Sequence, residues 1–313
     1  MRKFLKTCVL FVLPIIVAAI LIEIIVRRVP NPYKYKYEWM MCQSDSVETL
    51  VLGSSHTFYG VRTGLMGNKA FNLANVSQSI NIDLSLLQYW ADRYKNLKTV
   101  IIPISYSTWF SHGLENGPES YRCRYYKIYM DCDLYSDCCL LKYNLEISDV
   151  RTALGKLDKL FKKQTDCGCD EYGWGNTYTL REKNLVKWND GTEAAAAVKR
   201  HTSKCWDYVE NNYALMGRIA DFCRSREIRL VLITTPCWSS YYENLDPDQV
   251  AKMYELTHRL QAEYGLDYFD YLADSRFVDD DFFDSNHLSD IGAEKFTKIL
   301  CADLFVPEDN PTP

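Results

Sequence analysis

The stretch Glu48-Thr-Leu-Val-Leu-Gly-Ser-Ser-His-Thr-Phe-Tyr-Gly60 decides how the chain is read. Residues 49–52 are a short apolar, β-leaning run that stops at Gly53, and two serines and a histidine follow. A buried strand ending in Gly-Ser-Ser puts a hydroxyl at the carboxyl edge of a sheet, where open α/β sheets bind ligands. The glycine allows a sharp turn, and residues 57–65 can open a helix whose N-terminal amides face the same spot. An amide pair beside an exposed serine is how an acyl-transfer site begins. A serine after a strand is equally an ordinary helix N-cap, so this stretch does not decide alone.

A second stretch near the other end, Phe282-Phe-Asp-Ser-Asn-His-Leu-Ser-Asp-Ile-Gly-Ala293, adds weight. Asp284 and His287 sit three apart, just before a helix that Ser289 or Asp290 can cap. A carboxylate and an imidazole on one turn can present a base and its partner to a serine brought in by the fold.

Together the two stretches resemble the SGNH/GDSL hydrolase superfamily, with Gly-Asp-Ser after its first strand and Asp-x-x-His before its last helix. The resemblance implies Ser55 as nucleophile, His287 as general base and Asp284 as its orienting acid. Ser54 stands where the family usually has aspartate. The Gly-Ser-Ser variant is similar to the membrane-anchored envelope branch: D-alanyl-lipoteichoic acid transfer and alginate-type polysaccharide O-acetylation proteins. In the family's second block, Asn-x-x-x-x-Gly, this chain reads Asn72-Leu-Ala-Asn-Val-Ser77, so Ser77 takes the oxyanion-glycine position beside the Ser55 amide. Asn75 and Gln78 are further amides there, as substrate contacts or plain loop residues. The third block, Gly-x-Asn-Asp, is missing; the chain reads Pro103-Ile-Ser-Tyr-Ser107. Ser105, Ser107 or a water must then serve, or the donor is absent, which costs on the order of 10²–10³ in rate. Such a loss suits a slow transferase better than a fast esterase and leaves an inactive relative open.

His56, next to Ser55, is the competing base, but a neighbour in sequence points elsewhere once a helix begins, so it is assigned to the substrate pocket. His112, His201 and His258 read as insertion or helix-surface residues. Asp279, Asp280 and Asp281 lack the glycine of a calcium loop and read as a solvated acidic turn. After a strand ending in Thr-Thr-Pro, Trp238 and Tyr242 are candidates to shape an acceptor site, by similarity to the envelope branch.

The rest of the chain sets bounds. With 313 residues and 47% hydrophobic content it can bury one sizeable core. A formal charge of −5 gives no electrostatic reason to expect a nucleic-acid partner. Twenty-three tyrosines and seven tryptophans can stack on sugars or fill the core. Arg2, Lys3 and Lys6 precede an apolar run over residues 7–26 that Arg27 and Arg28 close. About 20 helical residues cross the hydrocarbon of a bilayer, so the run is long enough to span. A cleaved signal peptide competes, but Ala18-Ala19 lies inside the run rather than after it, which favours an uncleaved anchor. Basic residues flank both ends, so charge does not orient it; the resemblance implies a cell-membrane protein with its bulk on the extracytoplasmic side.

Of twelve cysteines, Cys8 lies in the anchor, leaving an odd number outside. Cys123, Cys132, Cys138, Cys139, Cys167 and Cys169 crowd the middle, which suits disulfides in an oxidising compartment, while buried thiols explain them equally. Cys167-Gly-Cys169 lacks a matching pair at finger-like spacing, so no metal is expected.

Residues 1–28 therefore read as anchor, and 29–47 as an extended juxtamembrane connector, since Pro30 and Pro32 disfavour helix. Strands are expected over 49–52, 69–73, 98–105, 228–235 and 266–271, and helices over 82–94, 202–226, 246–264 and 290–304. Alternating strands and helices argue for an α/β parallel sheet covered on both faces. The resemblance, over about 48–105 and 228–304, implies an SGNH-like, flavodoxin-like three-layer domain over 48–305. An insertion occupies about 106–199 and a loose tail 306–313. The implied activity is O-acyl transfer, with acetyl as the acyl group, or ester hydrolysis on a cell-envelope polysaccharide. It needs no cofactor and implies a membrane-bound O-acyltransferase partner. The alternative is an inactive carbohydrate-binding or assembly subunit on the same fold; a thiol or metal protein is the third option.

Overall fold

The computed structural model describes residues 2–67, 69–132, 144–183 and 191–305. Five short strands form one parallel sheet: β1 (Thr49–Val51), β2 (Ala70–Asn72), β3 (Thr99–Pro103), β4 (Arg229–Thr234) and β5 (Asp267–Asp270). Their order in space is β2-β1-β3-β4-β5, the flavodoxin-like doubly wound arrangement, so the order reverses beside β1.

Burial on both faces explains the near-continuous apolar runs of the strands. Leu50, Leu52, Val100, Ile102, Leu230 and Leu232 face one layer, packed with Leu87, Met216 and Leu256 of the helices Ile80–Tyr89, Val209–Arg224 and Pro247–Tyr264. The alternate residues Val51, Ile101, Val231 and Ile233 face Phe296 and Leu300 of the helix Asp290–Leu304. The result is the expected three-layer α/β architecture. Caps follow the sequence: Asp246 accepts the Gln249 N–H with Pro247 in the first turn, and Gly265 ends that helix at φ +64°. Ser289 caps the last helix.

Four expectations need correction. The connector is not extended: Pro32–Gln43 is a helix, with Asn31 accepting the Lys34 N–H and Pro32 in the first turn, where its missing N–H is no loss. Its Lys36 is buried, donates to the Ala74 carbonyl and lies over the Phe58 ring, so tertiary contacts hold it in place. The expected helix over 202–226 starts later, at Val209, because Ser203 binds Gln249 and Trp206 stays on the surface. The helix expected over 82–94 runs Ile80–Tyr89. The acidic turn is solvated only in part: Asp279 and Asp280 are exposed, but Asp281 is buried and pairs with Lys295 at 2.6 Å.

Residues 166–178, within the expected insertion, close the free edge of the sheet. Tyr172 O accepts the Asn72 N–H of β2, and Phe58 O accepts the Gly175 N–H. Gly173 lies so close that a Cβ would stand 2.2 Å from Asn72 O. Cys167 and Cys169 hold their sulfurs 3.7 Å apart without a bond. Cys123 and Cys132 are buried, whereas Cys138, Cys139 and the expected tail lie outside the described residues. The helix Arg2–Val26 is apolar enough to cross a membrane and, at 25 residues, is about 37 Å long.

Candidate active site

The site begins where β1 ends. Gly53 has φ +103°, and a Cβ there would lie 2.2 Å from the Pro103 ring, so no other residue fits without displacing β3. From this turn the chain enters the helix Ser55–Gly60 with Ser54 in the N-cap position, although its side chain makes no capping bond. Thr57 Oγ1 donates to Leu52 O at 2.7 Å and clamps the turn. Ser55 is thereby held at the carboxyl edge of the sheet, beside the reversal in strand order.

The other half is a hairpin outside the sheet, β6 (Phe282–Asp284) paired antiparallel with β7 (His287–Leu288). Ser55 Oγ lies 2.8 Å from His287 Nε2, although 232 residues separate them in sequence. His287 Nδ1 lies 2.9 and 3.0 Å from the two oxygens of Asp284. That pairing puts the ring proton on Nδ1 and leaves Nε2 to accept from the serine. Asp284 also accepts the backbone N–H groups of Asn286 and His287. Burial pushes its carboxyl up, but the His287 ring and these donors outweigh burial and hold it below its ordinary value.

Ser77 sits in the left-handed region at φ +59°, the conformation that favours glycine, and Asn75 N–H donates to Gly53 O to hold its loop against the nucleophile turn. The amides of Ser55 and Ser77 meet no acceptor among the described residues. The Ser77 hydroxyl is turned to Glu119, itself paired with Arg122 at 3.2 Å. Ser105 bonds Thr108 through both its amide and its hydroxyl.

The remaining sequence candidates fall in different places. His56 stacks on His287 with ring centroids 5.0 Å apart; its Nδ1 lies 3.1 Å from Ser54 Oγ and its Nε2 3.3 Å from the Asn286 amide. Burial and the neighbouring imidazoles push its pKa well down, and the buried ring lies against His287. Gln78 is buried and committed inward: it donates to Asp83 at 2.7 Å and accepts from Tyr126 at 2.8 Å, so its amide supports the loop from below. Trp238 is half-buried, its ring against Phe282 and its backbone N–H donating to Ser285 O. Tyr242 packs beside Tyr241 and Leu245.

Three residues around the base carried no usable sequence signal. Tyr178 is stacked between Tyr59 (3.7 Å) and Phe283 (4.0 Å) and sets its edge against His287. Glu193 accepts the Ser285 N–H at the hairpin tip. His201, read from sequence as a surface residue, is instead turned inward on Tyr241 at 2.7 Å, and burial lowers its pKa to about 4. All three reach the site from the segment between β3 and β4, which matches no motif.

No protein-family model matches the sequence, and no curated protein is similar to it. A solved GDSL-like lipase from Bacteroides thetaiotaomicron is similar at 9% identity and a TM-score of 0.38, over 88% of this chain and 100% of that one.

Proposed function

We propose that the protein is a membrane-tethered serine enzyme of SGNH type that makes or breaks O-acyl esters on a cell-envelope polysaccharide. The supporting observation is the chain of contacts Ser55–His287–Asp284, at 2.8 and 2.9 Å, at the carboxyl edge of a doubly wound sheet. In this reading residues 48–305 are one catalytic domain with an insertion at about 106–199, behind an anchor at 1–28.

Ser55 Oγ attacks the acyl carbonyl while its proton passes to His287 Nε2. The negative charge that develops on the carbonyl oxygen meets the Ser55 and Ser77 amides, which have no competing acceptor among the described residues. Asp284 stays ionised and stabilises the imidazolium. The bond to the donor alcohol breaks, His287 returns its proton to that alcohol, and the acyl group rests on Ser55. A sugar hydroxyl, deprotonated by His287, then takes the acyl group and restores the serine; water as acceptor gives hydrolysis. No cofactor takes part. A membrane-bound O-acyltransferase that delivers acetyl groups across the bilayer is the proposed donor partner, with the domain on the extracytoplasmic side. The anchor and the resemblance of the Gly-Ser-Ser block support that placement.

Treating the detergent-solubilised full chain with a fluorophosphonate probe tests the reading. Covalent labelling that disappears in Ser55→Ala is expected. Absent labelling of the folded wild type, or labelling that survives the substitution, would favour the non-catalytic carbohydrate-binding subunit.

A further inference from the structure

The helix Val150–Phe161, far in sequence from the active-site motifs, carries an apolar stripe that the described residues leave exposed. Its inner side is fixed: Ala153 and Lys156 are buried, with Lys156 Nζ 2.6 Å from Glu146 and 3.3 Å from the Tyr129 hydroxyl. On the outer side Val150, Leu154 and Phe161 are 66%, 60% and 85% exposed. At 100° per residue these three positions fall within about 40° of one another on the helix surface. Scattered exposed apolar residues need no explanation, but a stripe of this size on one helix does.

The surroundings indicate what covers it. Arg151, one residue after Val150, and Lys162 and Lys163, just past Phe161 at the helix's end, are exposed beside the stripe, while Lys159 is exposed on the far side of the helix and Asp158 is paired with Lys162 at 2.7 Å. A short apolar stripe bordered by lysine and arginine has the character of a helix lying in a membrane interface. Its position agrees. The turn just before it is bonded to the last turns of the helix Arg2–Val26: Glu23 accepts the Glu146 and Ile147 N–H groups at 3.0 Å, and Arg27 donates to Asn144 O at 2.7 Å. The two helices also touch directly. The anchor's own apolar exposure continues to Ile24 and Ile25, beside this junction.

We infer that the helix Val150–Phe161 lies on the bilayer beside the anchor, with Val150, Leu154 and Phe161 in the acyl-headgroup boundary and its basic residues against anionic phosphates. This rests on the membrane-anchor reading of residues 1–28. A tether at one point leaves a domain free to tilt; a second contact on a separate helix fixes the face it turns to the membrane. The active-site edge is thereby held at a constant orientation to its substrate.

The test reconstitutes the full chain in phosphatidylcholine vesicles, with and without phosphatidylglycerol, containing a lipid with a photoreactive diazirine near the top of its acyl chain. Adducts are mapped by peptide mass spectrometry. Adducts on residues 150–163 as well as on the anchor are expected, stronger with phosphatidylglycerol. Leu154→Asp with Phe161→Asp should lower those on 150–163 about tenfold and leave the anchor's unchanged. Adducts confined to the anchor overturn the inference and spare the anchor. Labelling of neither segment overturns both.

Discussion

The turn that carries Ser55 and the hairpin that carries His287 meet at 2.8 Å but are held by different means. The turn belongs to the sheet. Gly53 is locked against Pro103, Asp83 accepts its N–H at 2.9 Å, and Thr57 ties the first helical turn back to β1. The hairpin lies outside the sheet: Phe282 and Leu288 pack into the core with Val51 and Phe296, while its tip and ring are held by Glu193 on Ser285, Trp238 on the Ser285 carbonyl, and Tyr178 and His56 against the His287 ring. One half of the site is therefore a consequence of folding the domain at all. The other is rooted in the core at Phe282 and Leu288, but its tip at Ser285 depends on Glu193 and Trp238 from other segments.

That contrast yields five expectations. Ser55→Ala removes the attacking atom and should lower hydrolysis of an activated acetyl ester by about 10⁶-fold, or to background, with an unchanged melting curve. Asp284→Asn keeps the shape but spoils the imidazole tautomer; a fall of about 10⁴-fold in kcat at constant stability is expected. Gly53→Ala should act on the fold instead, costing about 2–5 kcal/mol in urea unfolding through the left-handed φ and the Pro103 clash. An unchanged midpoint there would show that the turn is not part of the sheet's stability. Glu193→Ala should cut kcat about tenfold through hairpin alignment, with thermal stability little changed and recovery in Glu193→Gln, which can still accept the Ser285 N–H.

The smallest effect concerns pH. Burial raises the Asp83 carboxyl to about 7, with the Gln78 amide and Gly53 N–H pulling it partly back. Its folded pKa exceeds the unfolded value of about 4, so the folded state keeps a proton that the unfolded state gives up. The stability it contributes is full below pH ~4 and is lost as pH rises towards ~7. Asp83→Asn removes this titration, so the melting temperature of the variant relative to wild type should rise by a few degrees (~3 °C) across that window. A constant difference from pH 4 to 8 would mean that Asp83 does not titrate there.

The parallel strands were legible because a strand buried on both faces must be apolar through its middle, as 100–103 and 230–233 are. Caps such as Asp246-Pro247 and Gly265 were legible because they depend on immediate neighbours. The helix Pro32–Gln43 was not: its alternating tyrosines and lysines carry no helical stripe, and packing of Lys36 and Tyr33 against the domain decides it. Nor was the inward commitment of Gln78, since an amide's partner is chosen by whichever polar group the fold buries beside it.

The sequence by itself determined the glycine at the end of β1, the serine that follows it, and the carboxylate–imidazole spacing before the last helix, because each works through a few bonds of backbone. Only the tertiary structure decided that the two motifs face each other, and that Tyr178, Glu193 and His201 surround them. Contacts between residues hundreds of positions apart depend on how layers pack and strands order themselves, and no local pattern encodes that.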